Sequence, residues 1–408
     1  MNSAVQAFGY IAPAGTRVSL TDVIIGLGRG IAPSDAFDRL QTDLAAHAHK
    51  PLCRLVASGR AAMTSILKVM YESAGNRERN EVIVPGYTCY SVPAAIARAG
   101  LKPRLCDIDP TTFSLDPAAL DKFDFSRVLA VVSANLYGIP NALHDIEAIA
   151  RRRGVLMLDD AAQSLGAKLA GRAVGGFGDA GLYSFDKGKN ITTIQGGAIV
   201  AEGALAAAID RYWQALPSAA ALETATLSAK MMVYAALLRP TMYGVVRRMP
   251  FLGLGRTEYE TRYPIAQYSR LLANLAARQY RRLDSLNAVR VANATRLREA
   301  LEPIAGLKMP QLLPGAEPVF ARFPVLVRDA SQRAALVTAL DRAGIGATTS
   351  YPNALADVPE VAAMVPAGDL NTPGAKLVAS TIVTLPTHGY CPPDFPSRIL
   401  ALVRGQLP

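Results

Sequence analysis

From about residue 50 to 200 the chain alternates short β-branched runs with segments of helical period, and most runs stop at glycine, proline or a polar cluster. Val82–Val84 halts at Pro85-Gly86, Leu105–Ile108 and Val128–Val132 follow, and Val155–Leu158 ends abruptly on Asp159-Asp160. Met63, Ile66, Leu67 and Met70 fall at i, i+3, i+4 and i+7, one face of a helix. Ala94–Arg98, ended by Gly100, and Ile146–Arg153 read as further helices. This alternation predicts the α/β class with a large, mostly parallel sheet. Further on, Leu286, Val289, Leu297 and Leu301 predict a long helix ended near Pro303. Phe323–Val327, Ser331–Ala343 (capped by Gly344) and Ile382–Leu385 predict a smaller C-terminal α/β unit. A chain of 408 residues accommodates two domains. They are placed at 1–260, a large α/β domain, and 261–408, the long helix with the small domain.

Composition narrows the partners. Half of the residues are apolar and 19% are charged, enough for a buried core. Forty-three basic against 33 acidic residues leave +10, a mild bias that suits anionic small molecules or a membrane surface. No dense basic run with interleaved aromatics points to nucleic acid. Cys53, Cys89, Cys106 and Cys391 form no CxxC and no zinc spacing, which predicts a reduced, cytoplasmic chain. Met1–Arg17 lacks a secretory pattern. Met231–Leu238 falls far short of the roughly 18 residues that span a bilayer. Residues 224–257 hold no acid but carry Lys230, Arg239, Arg247, Arg248 and Arg256. A dimer interface or a lid is favoured for them over peripheral contact with anionic lipid. His47-x-His49 is read as helix surface with no metal, and Gly26-Leu-Gly28-Arg-Gly30 as a loop.

In open α/β sheets ligands sit beyond the carboxyl ends of the strands. Three polar segments fall at such ends: Ser58-Gly59-Arg60, Asp159-Asp160-Ala-Ala-Gln163, and Ser184-Phe185 followed by Lys187 and Lys189. Ser58-Gly59 opening a helix is an anion site when a cation flanks it, and otherwise a plain cap. Taken singly, either aspartate is an N-cap and either lysine a solvated side chain. Together they are the parts that hold pyridoxal phosphate: a phosphate cradle, a carboxylate for the ring nitrogen and a lysine for the aldehyde.

At these residues the chain resembles the DegT/StrS-type sugar aminotransferases, fold-type-I enzymes that use pyridoxal phosphate. The blocks that carry the resemblance run in order: Val84-Pro85-Gly-Tyr-Thr88, Cys106-Asp107-Ile-Asp109-Pro110, Leu136-Tyr137-Gly138, Leu158-Asp159-Asp160-Ala-Ala-Gln163-Ser164, Gly178-Asp179, Ser184-Phe185-x-x-x-Lys189-Asn190 and Gly196-Gly197. Ile345-Gly346, Tyr351-Pro352 and Leu385-Pro386-Thr-His388 fit more loosely. The resemblance implies that Lys189 is the catalytic Schiff-base lysine and that Lys187, at the wrong offset from Ser184, is not. It implies that Asp160 pairs with the pyridine nitrogen and that Gln163 faces the phenolic oxygen. Ser184 with the Gly59 and Arg60 amides would hold the phosphate. Tyr87, Tyr137 and His388 are candidates for the substrate side.

Several positions depart from the family pattern. Cys89 stands where an aromatic residue stacks on the ring, so Tyr90, Tyr87 or the packed thiol must cover that face. Asn135 replaces a histidine, Gln195 an acid, and Arg60 a small hydroxyl residue. The family's G-x-N-x-R segment is not recognisable between 204 and 280. The implied activity is transfer of an amino group from glutamate or glutamine to a keto group, on a nucleotide-linked sugar. A homodimer with sites at the subunit boundary is implied too. The alternatives are another reaction on the same cofactor, a lipid-like acceptor, or a regulator that binds the cofactor without turnover.

Overall fold

The computed structural model describes residues 9–31, 35–246 and 258–407. Its strands, in chain order, are Leu52–Val56 (β1), Glu81–Pro85 (β2), Lys102–Cys106 (β3), Val128–Ala134 (β4), Leu156–Asp160 (β5), Lys168–Leu169 (β6), Arg172–Ala173 (β7), Ala180–Ser184 (β8), Gly197–Ala201 (β9), Leu307–Lys308 (β10), Ala316–Glu317 (β11), Phe323–Val327 (β12) and Ile382–Leu385 (β13). A seven-stranded sheet has the order β1-β9-β8-β5-β4-β2-β3. Strands β8, β5, β4, β2 and β3 pair in parallel, and β9 runs antiparallel to β8 and to β1. Six strands therefore point their carboxyl ends the same way. A second sheet, β10-β12-β13, is antiparallel throughout, and β11 reaches back to pair with β6.

The central strands β2, β4, β8 and β9 are buried along their whole length, as near-continuous apolar runs demand when both faces of a sheet are covered. One apolar core lies on each face of the large sheet, and a third surrounds β12 and β13. The 82–84, 128–132 and 155–158 runs became β2, β4 and β5 with small shifts at their ends. The 105–108 run is displaced: β3 covers Lys102–Cys106, and Ile108 makes only an isolated bridge to Leu115.

The glycine-rich stretch Gly26–Gly30 is not a loop. It lies within the helix Leu20–Ile31, whose Val23 is buried against the helix Arg270–Tyr280. A Cβ at Gly26 would stand 3.1 Å from the Leu275 Cα, so glycine here lets two helices close up. The acid-free segment begins inside a helix, Ala221–Leu237, which buries Leu227, Met231 and Ala235. A second helix, Pro240–Val246, follows. Val233 and Met242 of this segment, and Leu222 just before it, are exposed, while Arg247, Arg248 and Arg256 lie outside the described residues. Among the described residues no helix is long and apolar enough to cross a membrane.

Candidate active site

The carboxyl ends of β1, β2, β4, β5 and β8 carry most of the residues singled out in the sequence. Asp159 and Asp160, adjacent at the end of β5, face opposite ways because side chains alternate along a strand. Asp159 is fully buried and accepts hydrogen bonds from Asn135 Nδ2 at 2.7 Å, Gly175 N at 2.6 Å and Phe177 N at 3.2 Å. Burial pushes its carboxyl up to about 7 against the pull of those donors. It pins the loop between β5 and β8. Asp160 accepts a bond from Ala162 N at 2.9 Å on Oδ1, and among the described residues its Oδ2 has no donor. Burial raises its pKa too, and the positive charge of Lys189 opposes the rise.

The two lysines separate in the same way. Lys187 is exposed and Lys189 is half-buried. The Lys189 carbonyl is held by Thr16 Oγ1 and by Arg290 Nη2, the latter at 3.2 Å. Arg290 is a fully buried cation with no carboxylate partner among the described residues. It also donates to Gly15 O at 2.8 Å, Thr16 Oγ1 at 2.9 Å and Ala321 O at 3.4 Å. Burial lowers its pKa to about 10. One guanidinium thus ties the lysine loop, the N-terminal segment and the approach to β12 together.

Ser58 caps the helix Gly59–Ser73, its Oγ accepting from Ala61 N at 3.1 Å. The Gly59 and Arg60 amides precede the first intrahelical bond and find no acceptor among the described residues. Ser184 stands beside them: a Cβ at Gly59 would lie 2.9 Å from the Ser184 Cβ and 3.0 Å from its Oγ. Free amides at a helix start, a hydroxyl and a glycine that keeps the space open fit a phosphate group. The Asp160 oxygen without a donor fits a protonated ring nitrogen. The residues present therefore fit pyridoxal phosphate. The Arg60 guanidinium turns elsewhere, to Glu260 Oε2 at 3.0 Å and over the Tyr263 ring at 5.0 Å.

Tyrosines form the other side. Tyr137 sits at φ +60°, an uncommon backbone conformation outside glycine, with its N–H donated to Gln163 Oε1 at 3.0 Å. Its hydroxyl lies 3.3 Å from that of Tyr87. The Gln163 amide donates to Tyr351 Oη at 3.0 Å. The Tyr351 ring stands edge-on to Tyr87 at 5.6 Å and tilted to Tyr90 at 6.2 Å. Tyr90 Oη accepts from Asn353 N at 3.0 Å. Cys89 is half-buried and takes a bond from Ser91 Oγ at 3.0 Å. Tyr351 was only part of a matching block in the sequence, yet it touches Gln163, Tyr87 and Tyr90. Arg290 gave no local signal: it falls on a helix whose buried positions also include Asn287 and Asn293.

The His388 ring is held by backbone. Its Nε2 lies 2.8 Å from Ala12 O and its Nδ1 accepts from Tyr390 N at 3.3 Å, so both ring nitrogens are used by backbone. Burial lowers its pKa to about 4 and keeps it neutral. A separate cavity of about 750 Å³, lined by Met70, Arg79, Leu129, Gly154, Leu156 and Arg211 among others, opens at the amino ends of β4 and β5 and shares none of these residues.

The model of the DegT/DnrJ/EryC1/StrS aminotransferase family matches residues 28–231 and 246–404. The erythromycin biosynthesis sensory transduction protein EryC1 of Saccharopolyspora erythraea is 26% identical over 90% of this chain and 89% of its own length. An L-glutamine:2-deoxy-scyllo-inosose aminotransferase of Streptoalloteichus tenebrarius is 36% identical over 44% of this chain and 41% of that protein. A pleiotropic regulatory protein of Geobacillus stearothermophilus is 34% identical over 41% of this chain and 44% of that protein. The matched stretch thus spans under half the length of the last two relatives. Among solved structures, Helicobacter pylori PseC, an aminotransferase of pseudoaminic acid biosynthesis, superposes with a TM-score of 0.79 at 15% identity, covering 98% of this chain and 99% of its own. DesV of S. venezuelae superposes at 0.73 with 23% identity, covering 97% and 98%. These likenesses establish the α/β fold.

Proposed function

This chain belongs to the DegT/DnrJ/EryC1/StrS aminotransferase family, and on that premise we propose that it is a pyridoxal-phosphate-dependent aminotransferase. The observation that carries the reading is the buried Asp160 carboxylate, with one oxygen lacking a donor and within reach of the Lys189 charge, beside the amide and hydroxyl cradle of Gly59, Arg60 and Ser184. When bound, the cofactor supplies an aldehyde that lysine condenses with and a ring that takes up electrons. Asp160 holds the proton on the ring nitrogen. Ser184 and the two helix amides bind the phosphate, and Gln163 orients the phenolic edge while it spaces Tyr137 from Tyr351. Lys189 Nζ takes the proton from the amine-bearing carbon of the donor and returns a proton during amination of the acceptor. The tyrosines Tyr87, Tyr90, Tyr137 and Tyr351 narrow the entrance and exclude water around that transfer, with Cys89 packed among them.

The donor is glutamate or glutamine and the acceptor a keto group on a nucleotide-linked sugar. The glutamine-named relative supports the donor, and the basic surplus fits a diphosphate. We further propose a cytoplasmic homodimer with domains divided at 260/261. His388 holds the N-terminal segment in this reading, by its bond to Ala12. The test is incubation of the cofactor-loaded protein with glutamate or glutamine. Release of one equivalent of 2-oxo acid per site, with loss of the aldehyde–lysine absorbance, is expected. An absorbance that persists with every amino donor favours the regulatory reading suggested by the names of two relatives.

A further inference from the structure

The cavity at the amino ends of β4 and β5 lies at the edge of the large sheet opposite Asp160. From Leu156 to Asp160 the strand covers about 13 Å, and from Met70 back to Gly59 the helix covers about 16 Å. The residues that fit the cofactor therefore stand well away from it. Its volume of about 750 Å³ falls within the range of small-molecule pockets, roughly 300–1,000 Å³. Met70 and Leu129 form a buried floor, and Leu156, Leu205 and Ala208 are half-buried walls. Ala204 and Ala208 lie one turn apart on the helix Gly203–Gln214, so small side chains leave the space open. Among the described residues the lining holds two charged groups, Arg79 and Arg211, and no carboxylate or aromatic ring. Arg79 is half-buried, and its Nη1 donates to a neutral acceptor, Gly154 O, at 2.6 Å. Arg211 is exposed, and its side chain has no hydrogen-bond or ion-pair partner among the described residues. The neighbouring acids do not serve these two cations. Glu78 is exposed and outside the lining, Glu81 pairs with Arg104 at 2.6 Å, and Asp210 pairs with Arg54 at 2.6 Å.

We propose that this cavity binds a small amphipathic carboxylate, an unbranched aliphatic chain ending in one carboxylate, at a site separate from the cofactor cleft. The floor and walls set the chain. Methionine, leucine and alanine side chains gain by covering methylenes, whereas a nucleotide or another planar anion needs an aromatic face to stack on, and the lining has none. The two arginines set the head. A partly desolvated guanidinium without a counter-ion is costly, a bound anion offsets that cost, and the planar fork of arginine matches a carboxylate. The site stands whether or not the cleft transfers amino groups, because the two share no residue.

Calorimetric titration of the cofactor-loaded protein tests this with three probes: octanoate, acetate (the head without the chain) and 1-octanol (the chain without the charge). Octanoate should bind once per chain. Acetate and 1-octanol should each bind at least about 10-fold more weakly, since one lacks the buried methylenes and the other the charged hydrogen bonds. Arg211→Gln should weaken octanoate roughly 10-fold and leave 1-octanol unchanged. Arg211 carries the charge test because Arg79 also holds Gly154 O. Ala208→Trp should remove octanoate binding by filling the space. Melting curves report whether each variant is folded, and Ala208→Leu, a smaller filler, should weaken octanoate if the tryptophan variant is not. Octanoate that does not saturate, that acetate or 1-octanol matches, or that binds Arg211→Gln or the folded filled variant as tightly as the natural protein overturns the proposal. Octanoate held in the cofactor cleft instead would show as binding that survives the filling of the cavity.

Discussion

The wall of the cleft formed by β1, β5 and β8 takes Gly59, Arg60, Asp160, Ser184 and Lys189 from strand ends and the few residues that follow them. The wall that meets it takes Arg322 from just before β12 and Tyr351 from the segment between β12 and β13, far along the chain, and holds them by Tyr87, Gln163 and Thr348. On the first wall the backbone itself aims each group, because a strand leaves its last side chain at the sheet edge. On the second wall nothing local aims the groups. They are placed by long-range bonds, among them those of the buried Arg290. A substitution of a group that faces the cleft from a strand end should therefore remove a function and spare the fold, and one of a fully buried staple, on either wall, should do the reverse.

The sharpest version of that contrast lies in two adjacent residues. Asp160→Asn should lower amino transfer by roughly 10²-fold or more, since a charge aimed at the reacting group is lost, with an unchanged unfolding midpoint. Asp159→Ala should instead cost on the order of 3 kcal/mol of stability, because it leaves Gly175 N and Phe177 N without an acceptor and removes one of the two acceptors of Asn135 Nδ2. Denaturant unfolding and initial rates on the two variants check both. Similar losses of stability in both would break the comparison.

Arg290→Met probes the staple. Lowering this cation's pKa to about 10 corresponds to a burial cost of about 3 kcal/mol. Its four hydrogen bonds, at about 1.5–3 kcal/mol each to a charged group, outweigh that cost. The variant should lose on the order of 3 kcal/mol in chemical denaturation. A stability equal to or above that of the natural protein would show that desolvation dominates.

The alternation of strands and helices, the carboxylate at the end of β5 and the lysine loop were legible because each is a short stretch of chain with its own physical signature. Which of the two acids would meet the ring nitrogen was implied only by the family resemblance, since composition treats Asp159 and Asp160 alike. Gly26–Gly30 misled because glycine marks both a loop and a close helix crossing, and only the partner helix decides which. Tyr351, Arg290 and Arg322 were not legible as site residues: their neighbours in space lie far away in sequence. His388 illustrates the same limit, a histidine in a matching block whose ring serves the backbone of Ala12 and Tyr390.

That histidine gives a pH test. Its folded pKa, about 4, lies below the ordinary 6.5, so the neutral ring favours the fold. This contribution is complete above about pH 6.5 and is lost as pH falls toward 4. Between pH 7 and pH 5 the natural protein should lose about 2 kcal/mol relative to His388→Asn, measured by urea unfolding at each pH. Parallel pH profiles would contradict a buried neutral ring. The smallest effect is expected at Tyr351→Phe, about 1 kcal/mol from the lost Gln163 bond, with a KM change larger than any change in stability.

The central claim is that a single lysine on the loop after β8 carries the cofactor. Reduction of the pyridoxal-phosphate-loaded protein with borohydride, followed by peptide mass mapping, tests it directly. The account predicts one pyridoxyl group per chain, on Lys189. A label on Lys187, on another lysine, or on none would contradict it.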